Sequence, residues 1–102
     1  MTDYPTALVN FLKLIAERSA KYYDEYYTSL EHPTYEVIKG RKYDRVIQTS
    51  SGNRSAYCWL NPATGDILKG SWKAIEDKRP RGNIYNENPL AGTDIYGVSY
   101  LK

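Results

Sequence analysis

Apolar residues at the start of the chain recur with a period near 3.6. Leu8, Phe11, Leu12, Ile15, Ser19, Tyr22, Tyr23 and Tyr26 share one side, while Arg18, Lys21, Asp24 and Glu25 cover the others. The pattern predicts an amphipathic helix over residues 4–28, roughly 35 Å long at 1.5 Å per residue. Thr2 or Asp3 caps it, and Pro5 sits in the first turn, where no amide donor is needed. His32-Pro33 bars any helix through that point. Beyond Pro33 the period drops to two. Tyr35–Ile38 reads as a short strand ended by Gly40, and Tyr43–Thr49 as a longer one, followed by a Ser50-Ser51-Gly52-Asn53 hairpin signal. Arg54–Leu60 is the next strand, with Ala56, Cys58 and Leu60 on one face and Tyr57 and Trp59 on the other. A strand apolar on both faces is covered on both; here the barrel core is expected as one cover and the helix as the other.

Asn61-Pro62-Ala63-Thr64-Gly65 is a turn in which Pro62 presets the first angle and Gly65 supplies a positive φ. Asp66–Ala74 is predicted as a strand bending at Gly70, Lys78–Asn83 as a loop, Ile84-Tyr85 as a short strand, and Ile95–Leu101 as a terminal strand. One helix before about five short antiparallel strands, with Gly40, Gly70 and Gly97 free to bend them, implies a mainly β (α+β) fold. The expected architecture is an N-terminal helix and a strongly bent five-stranded antiparallel sheet closed into a small barrel. With 102 residues, the chain is one domain spanning 1–102.

Composition changes this picture at two points. Eleven Tyr stand against one Phe and two Trp. Tyrosine buries a ring and keeps its hydroxyl wet, so the surplus suits half-buried surfaces. Tyr22, Tyr23, Tyr26 and Tyr27 cluster where the helix should outrun its own barrel, and they are the candidate interface of a homo-oligomer, expected as a closed ring. The net charge of +2 is small, but residues 1–51 balance seven Lys/Arg with seven Asp/Glu, so the excess lies wholly in the second half. Cys58 and His32 are the only residues of their kinds. A disulfide, a metal cluster and a catalytic triad are therefore poorly supported, and a non-enzymatic protein without cofactor or metal is expected. The first residues are acidic and the apolar run from Ala7 is broken at Asn10 and Lys13, which argues against a signal peptide. No stretch is long enough to cross a membrane. A cytoplasmic setting is expected.

The remaining chemistry is cationic and aromatic. Lys69, Trp72, Lys73, Lys78, Arg79, Arg81 and Asn83 lie close in sequence. Cations hold phosphate and exposed aromatics stack bases, which makes this stretch the candidate nucleic-acid-binding site. Asp66, Glu76 and Asp77 dilute it, and a solvated loop explains Lys78-Arg79 equally well. Cys58, between Ala56 and Leu60, reads as a buried core thiol.

Gly65-Asp66-Ile67-Leu68-Lys69, Ser71-Trp72-Lys73-Ala74 and Arg81-Gly82-Asn83-Ile84 resemble a family of small phage proteins, including phages of marine cyanobacteria. The layout also resembles Sm-like proteins, ring-forming RNA binders whose fold is close to the SH3-like barrel. Arg81-Gly82-Asn83 is similar to the Arg-Gly step on their pore-facing turn, while Asn61–Gly65 stands where their first signature would be. The resemblance implies a ring that binds single-stranded RNA. The alternative is a viral structural module or one that binds a host or virion protein without nucleic acid.

Overall fold

A computed structural model describes residues 3–94 and 97–98. Helix α1 spans Tyr4–Tyr26. Asp3 is its N-cap, accepting the Thr6 amide at 3.0 Å, and Pro5 lies in the first turn. Thr2, the other cap candidate, lies outside the described residues. The helix stops before the predicted residue 28, at Tyr27 (φ −134°, ψ 54°). The residues that follow, Thr28 and Ser29, compete with helical hydrogen bonds through their own hydroxyls.

Five strands follow: β1 (Thr34–Lys39), β2 (Asp44–Ser50), β3 (Asn53–Leu60), β4 (Asp66–Gly70) and β5 (Ile75–Asn83). They form one antiparallel sheet in the order β1-β2-β3-β4-β5. A separate two-stranded pair, β6 (Thr93–Asp94) with β7 (Gly97–Val98), lies against β3 and β4. The rest of the predicted 95–101 strand lies outside the described residues.

The mainly β class and the five-stranded sheet agree with the sequence, but the barrel does not close: β1 and β5 remain the two edges of an open sheet. The form of β5 supplies a reason. Between two successive pairings β4 advances from Ile67 to Lys69, while β5 runs from Gly82 back to Asp77. Lys78–Arg81 therefore bulge out of the ladder, and Pro80 has no amide to donate. An edge of that form is a poor partner for another strand.

Three local expectations are also corrected. Asp66–Ala74 is not one bent strand: β4 ends at Gly70 and the chain reverses through Ser71–Ala74, with Ser71 N donating to Ala74 O at 2.8 Å. Lys78–Asn83 belongs to β5, as a bulged strand and not a free loop. Ile84-Tyr85 is a turn, whose Ile84 amide donates to Gly65 O at 2.9 Å.

The inner face of the sheet packs on the helix. Ala7, Leu8, Phe11 and Ile15 from α1 meet Val46, Tyr57, Cys58, Leu60, Ile67 and Ile84. A bulge in β3 makes this possible. Val46 pairs with Cys58 but Ile47 with Ala56, so Tyr57 is the extra residue. The simple alternation is broken there, and Tyr57 turns in beside Cys58 while Ala56 goes to the opposite face. Tyr57 meets Tyr35 edge-on with centroids 5.3 Å apart and accepts from Arg18 Nη2 at 2.8 Å. Arg18 also donates to Thr93 O at 3.1 Å and to Thr93 Oγ1 at 3.0 Å, which ties β6 to the helix.

Burial pushes the Cys58 thiol well above its ordinary range and, against the opposing pull of the Arg18 charge, lifts Tyr57 to about 12. Both groups are neutral in the fold and ionise more readily once unfolded. Their contribution is therefore present below the ordinary thiol range at about 8.5 and is lost as pH rises through and above it. Cys58 is expected to resist a disulfide reagent at pH 8 in native buffer and to react in denaturant, and urea midpoints should fall between pH 9 and 11. Rapid native labelling would place the thiol outside the core.

Candidate nucleic-acid interface

The face of the sheet opposite the helix is built from alternate residues of the same strands. Ile38 pairs with Arg45 and Arg45 with Trp59, whose other partner is Leu68. One row along, Glu36 pairs with Ile47 and Ile47 with Ala56; beyond that, Thr49 pairs with Arg54. Ile47 and Leu68 are buried although no helix covers this side. The Ser71–Ala74 turn folds back to supply the cover. Trp59 Nε1 donates to Ser71 O at 2.9 Å, and Arg45 Nη1 donates to Trp72 O. Gly70 permits the approach, since a Cβ there would stand 2.5 Å from the Trp59 ring.

Aromatics and guanidiniums alternate as a result. The Arg45 Cζ lies 5.3 Å from the Trp59 centroid and 5.0 Å from that of Trp72; the Arg54 Cζ lies 5.5 Å from Trp72. Each contact of this kind is worth about 0.5–1 kcal/mol when exposed. Arg45 Nε is closed off from solvent and has no acceptor among the described residues. Arg54 donates to Glu36 in an exposed ion pair. Trp72 remains 40% exposed.

The predicted site residues divide on this frame. Trp72 and Lys73 sit exposed on the turn, beside the sheet face. Lys69 pairs across the ladder with Asp77. Lys78 and Arg79 project from the bulge, but Arg79 is engaged by Asp77: Nε donates at 3.0 Å to each carboxylate oxygen and Nη2 at 2.6 Å. These bonds hold the Asp77 carboxyl well below the usual carboxylate range. The Arg81 side chain is only 4% exposed, with Nη2 3.4 Å from Asp77 and Nη1 donating to Arg79 O at 2.9 Å. Asn83 Nδ2 donates to Thr64 O at 2.8 Å and to Asp66 Oδ1 at 3.0 Å, while Asn83 Oδ1 accepts the Tyr85 amide. Arg81 and Asn83 are thus built into the sheet end. Arg45 and Arg54 join the site from β2 and β3, positions that sequence reasoning had not assigned to it.

The tyrosines also divide. Tyr22 meets Tyr26 at 4.6 Å and Tyr27 at 5.9 Å, and Tyr23 meets Tyr27 at 5.1 Å. Tyr23 is buried against its own sheet, sharing a 3.0 Å hydrogen bond with Ser50 Oγ. Tyr26 is 61% exposed, and Tyr27 and Leu30 are exposed beside it.

Elsewhere, α1 and the segment after β5 leave an open groove of about 1020 Å³ between Asn10, Leu14, Tyr85 and Pro89, with Glu87 its one charged lining residue among those described. Among the described residues, no three His, Cys, Asp or Glu side chains converge, and no helix is long and apolar enough to cross a membrane. A family model described as a family of unknown function (DUF7717) matches residues 1–96. No curated protein and no solved structure matches the chain.

Proposed function

The chain belongs to the DUF7717 family, and we propose that it is a non-enzymatic protein that binds single-stranded RNA on the sheet face centred on Trp72. The observation that carries this reading is the Trp59–Arg45–Trp72–Arg54 array on an open face, with Lys73 on the same turn and Lys78 on the neighbouring bulge. Aromatic faces offer stacking to any base, and cations beside them take the phosphates. The phage-like fragments extend the proposal to a viral source and a host-cell cytoplasm.

The test is a titration of wild-type protein with a labelled oligouridylate at rising salt. Affinity should fall steeply with salt, and Lys73→Ala should shallow the slope by about one phosphate contact. Arg79→Ala should cost less affinity than Lys73→Ala, because its guanidinium is already neutralised by Asp77. Arg81→Ala should register as a lower melting temperature, as its side chain is buried. Failure of the wild type to bind at low salt sinks the reading.

A second reading, contact with protein, is favoured by the exposed Tyr26, Tyr27 and Leu30 at the helix end. We propose that this surface joins copies of the chain, with a ring as the assembly that would repeat the cationic face around one axis. A host or virion protein is the alternative occupant. Tyr26→Ser with Tyr27→Ser should lower the mass measured by light scattering at micromolar concentration while leaving the far-ultraviolet dichroism of the folded chain unchanged. A monomeric wild type at that concentration removes self-assembly.

A further inference from the structure

We infer that Arg54 occupies the place of a nucleobase on Trp72 and that Glu36 controls how readily it leaves, an inference that rests on the RNA-binding reading above. Trp72 is 40% exposed, yet two guanidiniums lie against its ring, Arg45 at 5.0 Å and Arg54 at 5.5 Å. The two neighbours are not equally replaceable. Arg45 is half-buried, lies between Trp59 and Trp72, and donates to the Trp72 carbonyl, so it belongs to the frame that holds the turn down. Arg54 is at the exposed end of β3, and its contacts here are the indole and the Glu36 carboxylate.

A guanidinium is a planar, weakly hydrated group that stacks on an aromatic face much as a base does. A base that takes its place recovers the stacking, while the displaced guanidinium becomes free to grip the phosphate attached to that base. Glu36 opposes both steps. Its carboxylate accepts from Arg54 Nη2 and keeps the guanidinium over the ring, and it places a negative charge beside the path of an incoming phosphate. Glu36 is therefore a positioning residue for the site: it acts through Arg54 and sets the threshold for binding. Its carboxylate lies on the outer face of edge strand β1, and Gln keeps the length of the side chain beside Ile47.

The experiment compares Glu36→Gln with Glu76→Gln, a second exposed carboxylate lost from the same sheet, on β5. The probe is a short fluorescein-labelled oligouridylate titrated over a salt series, with the two indole N–H resonances followed by NMR. Loss of any one acidic charge strengthens binding slightly. Beyond that, Glu36→Gln should tighten binding about threefold or more, the equivalent of releasing an exposed ion pair. It should also steepen the salt dependence by about one phosphate contact, and the Trp72 resonance should move more on binding than that of Trp59. Glu76→Gln should leave the slope unchanged. Equal effects of the two substitutions, with wild-type protein bound, overturn this inference and leave the RNA reading standing. Absence of binding by both wild type and Glu36→Gln at low salt overturns the two together.

Discussion

Phe11→Ala is expected to destabilise the fold by about 3–5 kcal/mol, a large fraction of the roughly 5–15 kcal/mol that holds a domain together. Phe11 is fully buried and sits in the cluster where α1 meets β2, β3 and β4. Its removal opens a cavity under the helix, with Tyr4 packed at the rim and its hydroxyl donating to Asp44 at 2.7 Å. The melting temperature read by far-ultraviolet circular dichroism should fall by about 15–25 °C. Val9→Ala, on the solvent side of the same helix, should shift it by no more than about 2–3 °C, since surface changes stay within about 0.5 kcal/mol. A Phe11→Ala melt close to wild type would mean that the helix does not close this core.

Trp72→Ala is expected to produce the largest change in binding. Stacking on an aromatic is worth about 1–3 kcal/mol per base, so affinity for single-stranded RNA should drop roughly fivefold to 150-fold. The salt slope should stay unchanged, because an indole contacts no phosphate. That separates this variant from the lysine variants, which change the slope. Tyr85→Ala removes an exposed aromatic from the distant groove and serves as the control; an equal loss from both would detach the binding surface from Trp72.

The helix, the β2–β3 hairpin and the core positions on α1 were legible because periodicity and turn residues agree there. The barrel was not. Closure depends on what the edges offer, and the bulge that blunts β5 is held by Arg79 and Arg81 on Asp77, a tertiary arrangement with no periodic signal. The reversal at Ser71–Ala74 was hidden because Trp72-Lys73-Ala74 reads as strand. Its signal was Ser71, whose Oγ accepts the Ala74 amide at 3.3 Å.

Within the site, Trp72 and Lys73 could be picked out, but Arg45 and Arg54 could not. Counting back from the Ser51-Gly52 turn sets Arg45 opposite Cys58. The extra residue at Tyr57 moves it opposite Trp59, and that single step builds the array.

The same sheet also sorts the chromophores. Both tryptophans stand on the outer face, whereas Phe11, Tyr35 and Tyr57 lie on the helix side. Tryptophan emission thus watches one wall of the sheet and the helical dichroism watches the other, with β2 and β3 common to both. Two half-cores divided by a single layer of backbone are obliged to melt together only if that layer transmits the loss of one side to the other. The chain carries, in its native residues, separate optical reporters of whether its unfolding is one cooperative event or two.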